Sequence, residues 1–351
     1  MPGSRWLALA FVAVLAVLAV GCTSDDPTVP SADATTTPSP TPTPEPKCPL
    51  TGEDPATAAL LERPAIAVKI ENNSVAYPLS GLADAEIVYE ELVEGGITRF
   101  LALFHCTDTD KAGPVRSSRE IDPAVMKPIT RILAAAGGNA IVRRTLAEAG
   151  LVLVDEDTPG GALGRIPRSD ATFEHTLYAN TKTVRKVGRV EFDKPPPEHV
   201  FAFGELEGKA KKARSVEMNF GGAATIEYRW NGKGWQRLDG GSPLPVEGGE
   251  IVVANVLIEL HTINFSDTIV DVAGNPSIVF ADERGKGKAI LLRDGKAIKG
   301  TWSRRDEGEP AVFETRSGDE MVFAPGVTWV ELLPDEKGEI KGSFTISKKP
   351  A

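Results

Sequence analysis

Apolar and polar positions change period three times along this chain. Trp6–Val20 is an unbroken apolar run behind one charge, Arg5. It is shorter than a membrane-spanning helix needs and has the dimensions of a signal peptide's apolar region. Residues 23–47 then carry Pro, Thr, Ser and acid with almost nothing to bury. Such a stretch cannot offset its ordering entropy, so it reads as a semi-extended spacer. From Arg63 onward short apolar runs begin. Pro64–Ile70 is rich in β-branched residues and predicts a strand, and Thr98–Cys106 is nearly continuously apolar, as a strand covered on both faces would be. Ala85–Leu92 (AEIVYEEL) fits either period, because helix and strand would each bury Ile87, Val88 and Leu92.

Beyond these runs the spacing becomes helical in places. Ile121–Thr130 predicts a short helix that Pro128 ends or kinks, and Ala140–Ala149 predicts an amphipathic helix stopped by Gly150. Arg131–Ala136 and Leu151–Val154 predict strands between and after them. Strand, helix, strand, helix, strand is the order of an α/β layer with a mixed or parallel sheet and covering helices. After Pro195-Pro196-Pro197 the period shortens to two. Runs at Ala224–Trp230, Gly234–Leu238, Glu250–Leu260, Ser277–Phe280, Lys288–Leu292, Ala297–Trp302, Ala311–Thr315 and Val327–Leu333 alternate with turns such as Asn231-Gly232 and Asp294-Gly295. This half predicts a mainly antiparallel β domain. The expected division is a signal peptide at 1–21, a lipid-anchored linker at 22–58, an α/β domain at 59–195 and a β-rich domain at 196–347.

Cysteine usage and charge refine this picture. Leu18-Ala19-Val20-Gly21-Cys22 places a small residue before a cysteine directly after the apolar run, as a bacterial lipobox does, with Cys22 the lipidated residue. Ala19 stands where that motif usually has leucine, and Ala19-Val20-Gly21 also passes as an ordinary cleavage site. Both readings put the mature protein outside the cytoplasm. The remaining pair, Cys48 and Cys106, suggests a disulfide in an oxidising compartment, against two unrelated thiols. Formal net charge is −10 over 351 residues with acids and bases mixed, which argues against nucleic acid and leaves room for a local basic pocket.

Candidate chemistry concentrates around AGPVRSSRE, residues 112–120. The segment leaves a strand-like run and enters a helix-like run. In α/β sheets ligands sit at that place, where free N–H groups point outward. Arg116 and Arg119 can fork onto a carboxylate or phosphate, while Ser117 or Ser118 donates to the ligand or caps the helix. The plainer reading is capping plus ion pairs to Glu120 or Asp122. Gly137-Gly138-Asn139 is a second such turn, which reads first as a tight turn with Asn139 as cap. His175, on a loop with Arg165, Arg168, Asp170 and Glu174, is the best titratable candidate for proton transfer or anion contact, against a loop histidine bonded to backbone. His105 reads as structural. The four histidines are scattered without ligand spacing, so neither a metal site nor a cofactor is expected. Glu90, Glu91 and Glu94 invite a hydrolase reading but read more simply as a solvated acidic edge or as partners of Arg99 or Arg116. There is no GxSxG nucleophile elbow.

RPAIAVKIEN (63–72), SGLADAEIVYEELVEGGITRFLALFH (80–105), GPVRSSRE (113–120), HTLYANT (175–181), ANVLIELH (254–261) and PGVTWVELLP (325–334) together resemble the YerB-like lipoproteins, a two-part bacterial family of unknown function, DUF3048. The likeness runs from about Arg63 to Pro334. It implies an α/β domain followed by a β-rich domain and brings no activity or catalytic residue with it. Where the family commonly reads Pro-His-Asn, this chain has Glu174-His175-Thr176.

The expectation is therefore a lipoprotein anchored on the extracytoplasmic face of the membrane. It binds an anionic cell-wall component or an envelope protein through a rim of Arg116, Ser117, Arg119, His175, Arg99 and Asn72. Two other readings stand beside it. A cell-wall-directed hydrolase or transferase would use His175 with Glu91 or Glu94. A structural scaffold for envelope proteins would need an exposed apolar patch instead.

Overall fold

In the computed structural model, residues 45–349 are described except 209, 223–224 and 272–273. The signal segment 1–21, Cys22 and the spacer up to residue 44 lie outside the described residues. Strands β1 (Ile66–Asn72), β2 (Ile87–Leu92) and β3 (Thr98–Phe104) form an antiparallel centre in the order β2-β3-β1. All six residues of β2 are buried. That resolves the ambiguity of AEIVYEEL: a helix would turn part of its circumference to solvent, whereas a central strand covered on both faces exposes nothing.

β4 (Ile132–Ala134) and β5 (Val152–Val154) extend this centre as a parallel run from β1. β5, expected to be buried, has Val152 and Leu153 only half-buried, as suits the last strand of the sheet. Helices cover less of the sheet than the sequence pattern suggests. α1 (Asp122–Met126) has five residues, α2 (Ala140–Glu148) nine and α3 (Thr181–Gly188) eight. Pro128 keeps α1 short, and Asn139 starts α2 by accepting from the N–H groups of Ile141 and Val142 at 3.0 and 2.9 Å.

On its other side β2 pairs in parallel with Thr328–Pro334, which pairs in parallel with Asn255–His261. The antiparallel strands Gly285–Arg293, Lys296–Arg304 and Val312–Thr315 follow outward. One main sheet thus takes strands from both halves of the sequence. A second sheet contains Trp235–Asp239, Thr225–Trp230, Ser215–Asn219 and Ser343–Ser347. Its Tyr228 meets Trp329 of the main sheet with ring centroids 6.4 Å apart, and Phe100 meets the same indole at 5.2 Å. Burying large rings between two sheets supplies much of the core's transfer free energy.

Pairing registers define two ends of the main sheet. At one end lie Glu71, Asn72, Arg99, Glu91 and His261. At the other lie Ile66, Phe104, Ile87, Thr328, Asn255 and Arg293. Cys48 and Cys106 form a disulfide at this second end, closing 58 residues, and Leu50 beside it is fully buried. Cys48–Thr51 is buried against the fold, while most of residues 53–59 are exposed. Among the described residues no helix is long and apolar enough to cross a membrane.

Candidate functional site

Alternation along β1, β2 and β3 sorts the charged residues of the Arg99 end onto two faces. Glu71 and Glu91 lie directly opposite Arg99, so these three side chains share one face with Lys69, two residues before Glu71. Asn72 lies opposite Thr98, and Glu90 opposite Phe100, on the other face. Glu90 and Glu91 therefore point to opposite faces of the strand. The expectation of a solvated acidic edge does not hold, because both carboxylates are fully buried.

On the first face each carboxylate has a base. Lys69, itself fully buried, donates to Glu91 Oε1 at 2.5 Å and to Asp122 Oδ1 at 2.6 Å. Burial, opposed by Lys69 and reinforced by Asp122, pushes Glu91 up to about 7. Arg119 clamps Glu94 through Nε, at 3.0 Å, and Nη2, and Ser277 Oγ donates to the other Glu94 oxygen at 2.7 Å. Burial opposes ionisation of Glu94, yet Arg119 and Ser277 outweigh it and hold the group below its ordinary range. Arg99 differs. Its one hydrogen bond among the described residues runs from Nη1 to Ser117 O at 2.9 Å, and no described carboxylate lies within ion-pair distance. Burial, with Arg119 and Arg116 nearby, lowers its pKa to about 9.

Residues 112–120 do not make a tight turn into a helix. Val115 bridges Ile70 of β1, Arg116 N–H donates to Lys69 O at 2.9 Å, and Ala136 N–H donates back to Arg116 O at 3.0 Å. The segment is thus an extended splice between β1 and the loop after β4. Gly113, at φ 148°, passes so close to Leu177 O that a Cβ would sit 2.9 Å from it. Neither serine caps α1, whose N-cap is Ile121 with no side-chain bond. Ser118 instead donates both N–H and Oγ to Gly137 O, at 3.0 and 2.8 Å. Gly138 is held to glycine by that contact, since a Cβ there would meet Ser118 Oγ at 2.8 Å. The two glycine turns thus brace each other, and their consequence is to aim Arg116 and Arg119 toward Glu71 and Glu94.

His175 joins this cluster from a 3-10 turn, Phe173–His175, that precedes strand Leu177–Ala179. Its Nδ1 lies 2.6 Å from Glu71 Oε2, and Arg116 Nε lies 3.5 Å from Glu71 Oε1. Arg116 Nη1 also donates to Glu174 O at 3.0 Å, and Nε2 of His175 faces the exposed Glu174 carboxylate at 3.9 Å. The loop before it is fixed, not free. Arg165 stacks on Phe173 at 3.6 Å, and Arg168 donates to Ala76 O and Tyr77 O at 2.8 and 2.6 Å. The structure brings Arg99, Arg116, Ser117, Arg119 and His175 together. It pairs the histidine with Glu71, not with Glu91 or Glu94. Glu71 was missed because its partner is 104 residues away; the only signal was its place in a strand beside Lys69.

Asn72 belongs to the opposite face. It donates to Thr98 Oγ1 at 2.7 Å and Glu90 Oε1 at 3.3 Å, and accepts from Tyr77 OH at 2.8 Å. Glu90 is bound by Arg237 of the second sheet, with both oxygens 3.0 Å from Nη2. The other histidines stand apart from the cluster. His105 is buried against Arg63 O at 3.0 Å and burial lowers its pKa to about 4. His261 lies between Glu259 and Asp282, at 3.2 and 3.1 Å, a pairing that the sequence did not reveal. His199 is exposed beside Glu198. Two surface grooves, one along His199–Phe203 and one along Phe203–Gly208, share no residue with the cluster.

Residues 50–192 match the sequence profile described as "Protein of unknown function (DUF3048) N-terminal domain", and residues 216–330 match its C-terminal domain. A protein named "Putative lipoprotein YerB", from Bacillus subtilis (strain 168), is 26% identical over 341 residues, covering 94% of this chain and 96% of the relative. The crystal structure of YerB protein from Bacillus subtilis superposes with a TM-score of 0.71 at 25% identity, covering 86% of this chain and 100% of that one.

Proposed function

Since this chain belongs to the DUF3048 family, whose two domains are described as of unknown function, we propose from its own geometry that it is an extracytoplasmic lipoprotein that binds an anionic envelope ligand at the Arg99–Arg116 cluster. The relative named as a lipoprotein supports anchoring, and Cys22 is the residue that would carry the lipid. One observation carries the ligand reading. Arg99 is buried to 6% exposure with a single backbone carbonyl as acceptor, while every neighbouring base has a carboxylate. A buried cation so placed is costly unless an anion completes it, and guanidinium donors suit a carboxylate or phosphate. Arg116, 28% exposed at its side chain, is the most accessible base of the cluster.

Calorimetric titration of the full chain with muropeptides and with phosphate-bearing wall fragments tests this. The Arg99→Gln/Arg116→Gln variant is expected to bind about 10- to 100-fold more weakly, the effect of losing charged hydrogen bonds. Equal affinity of variant and wild type would overturn the reading.

A second reading rests on the His175–Glu71 contact. A carboxylate on Nδ1 orients an imidazole and leaves Nε2 to exchange a proton with a bound group, the arrangement that general acid–base catalysis uses. In that case the wild type converts a wall fragment to product, and His175→Asn binds the fragment normally but turns it over at least about 100-fold more slowly. Chromatography of the fragments after incubation decides it; no product from the wild type sinks the enzymatic role.

A further inference from the structure

The opposite end of the main sheet carries a concentration of unpaired positive charge. The two-residue strand Lys211–Lys212 pairs antiparallel with the start of Lys296–Arg304, which sets Lys212 directly opposite Lys296. Like charges at directly opposed positions repel. Arg214 follows, its N–H donating to Ser347 O at 2.7 Å, so that Lys348 and Lys349 continue the adjacent strand alongside it. The guanidinium of Arg214 lies against the Asp294-Gly295 turn that precedes Lys296: a Cβ on Gly295 would sit 2.8 Å from its Nη1. Lys212, Lys296, Lys348 and Lys349 are exposed, and with Arg214 they make five bases. Among the described residues none of the five bases has a carboxylate within ion-pair distance, and the adjacent Asp294 is taken by Arg293 at 2.8 Å.

A chain with formal charge −10 has acid available to neutralise such a cluster, yet leaves it unpaired. Its position completes the argument. Arg293 and Lys296 close the hairpin at the end of the sheet where Asn255 and Thr328 begin and where the Cys48–Cys106 bridge lies. The described chain enters at that end, through Lys47 and Cys48, with Gly52 pressed against Phe203. The Arg99 cluster sits toward the opposite end of the main sheet, on β1, β2 and β3, several strands across from the one that Lys296 begins.

We propose that Lys212, Arg214, Lys296, Lys348 and Lys349 form a docking face for the headgroups of anionic phospholipids. The negative surface potential of a bilayer attracts clustered bases, each adding about fivefold in affinity close to the surface. A chain held at the membrane by its N-terminal segment needs only a weak patch to take up one orientation, because attachment already supplies a high effective concentration. The net negative charge of the rest of the body is repelled by the same leaflet. The basic face therefore turns inward, and the Arg99 cluster is presented outward to the envelope.

The full chain, extracted from membranes, is incorporated in vesicles of phosphatidylcholine alone or of phosphatidylcholine and phosphatidylglycerol at seven to three, and lysine acylation is read by peptide mass. Lys212, Lys296, Lys348 and Lys349 are expected to react at least about threefold more slowly on the anionic vesicles, an effect lost in molar salt because the contact is electrostatic. Lys286 and Lys341, at the other end of the sheet, should react alike on both vesicles. Lys212→Glu/Lys296→Glu should abolish the protection of Lys348 and Lys349. Equal rates on the two vesicles, or uniform slowing of all six lysines, overturns the proposal. So does protection by a soluble polyphosphate that matches that of the vesicles, since the face would then be a polymer site. The docking face rests on the lipoprotein reading, while loss of wall-fragment binding in Arg99→Gln/Arg116→Gln is read separately, so the ligand site and the docking face fail independently.

Discussion

Replacing Arg237 with leucine is expected to lower the unfolding free energy by about 3–5 kcal/mol, the cost of removing one partner from a buried ion pair. Arg237 is fully buried in the second sheet and reaches across to Glu90, which is fully buried in β2. Glu331 lies directly opposite Glu90 on the neighbouring strand and accepts from Tyr228 OH at 2.5 Å. Burial, and then the Glu90 charge, raise Glu331 well above the ordinary carboxylate range. With the guanidinium gone, two adjacent carboxyl groups remain in the core without a base.

The sign of the pH dependence follows. A carboxyl whose folded pKa exceeds its unfolded value, 4.5 for Glu, contributes its full stability only below that unfolded value. The contribution is lost as pH rises toward the folded pKa. Arg237 is a charge that holds Glu331 down, so removing it raises Glu331 further, and the penalty should be smallest near pH 4 and grow toward pH 8. Urea unfolding of wild type and variant at both ends of that range gives the comparison. A companion Arg237→Leu/Glu90→Leu variant should recover most of the loss, because replacing a whole buried pair by apolar groups is tolerated where breaking it is not. A penalty that does not change with pH would mean that lost packing, not unpaired charge, is the cause.

This network also shows where the sequence stops being informative. That β1 and β3 are strands was legible in a β-branched run and a continuous apolar run, and once β2 is a strand the divergence of Glu90 and Glu91 follows from it. The burial of those two glutamates was not. Their local composition is that of a solvated edge, and only the second sheet and α1 turn that edge into core. Arg237 is 147 residues from Glu90, and His175 is 104 from Glu71. No local spacing encodes pairs at such distances. AGPVRSSRE was legible as a place of candidate chemistry beside a strand, yet its serines donate to the carbonyls of Ala136 and Gly137 instead of capping a helix. The backbone partner that claims them lies in another loop, and Ser residues satisfy whichever unpaired carbonyl is nearest. Asn72 was misplaced for a simpler reason. Adjacent residues on a strand face opposite ways, so grouping it with Arg99 required a register that the sequence alone does not give.

The disulfide was legible, and its removal should be the other large effect. In the chain-entropy description, closing 58 residues restricts the unfolded chain by about 4 kcal/mol. The Cys48→Ser/Cys106→Ser variant is therefore expected to lose about 2–5 kcal/mol in guanidinium unfolding. The loss should be uneven across the fold. Cys106 N–H and His105 N–H both donate to Glu86, and Arg63 donates to His105 O, so the end of β3 keeps its partners without the bridge. The segment from Cys48 to Leu61 keeps mainly the burial of Leu50, the bond from Gly326 N–H to Thr51 O and the contact of Gly52 with Phe203. Limited proteolysis of the variant should accordingly cut first within residues 48–62 while the sheet survives. If the bridge is intact, tension on a membrane-attached N-terminus passes from Cys48 directly to Cys106 at the end of a central strand. If it is absent, the same tension peels residues 48–62 away before it reaches β1. Equal protease resistance of the two proteins would show that the packing of Leu50 and Gly52 alone bears that load.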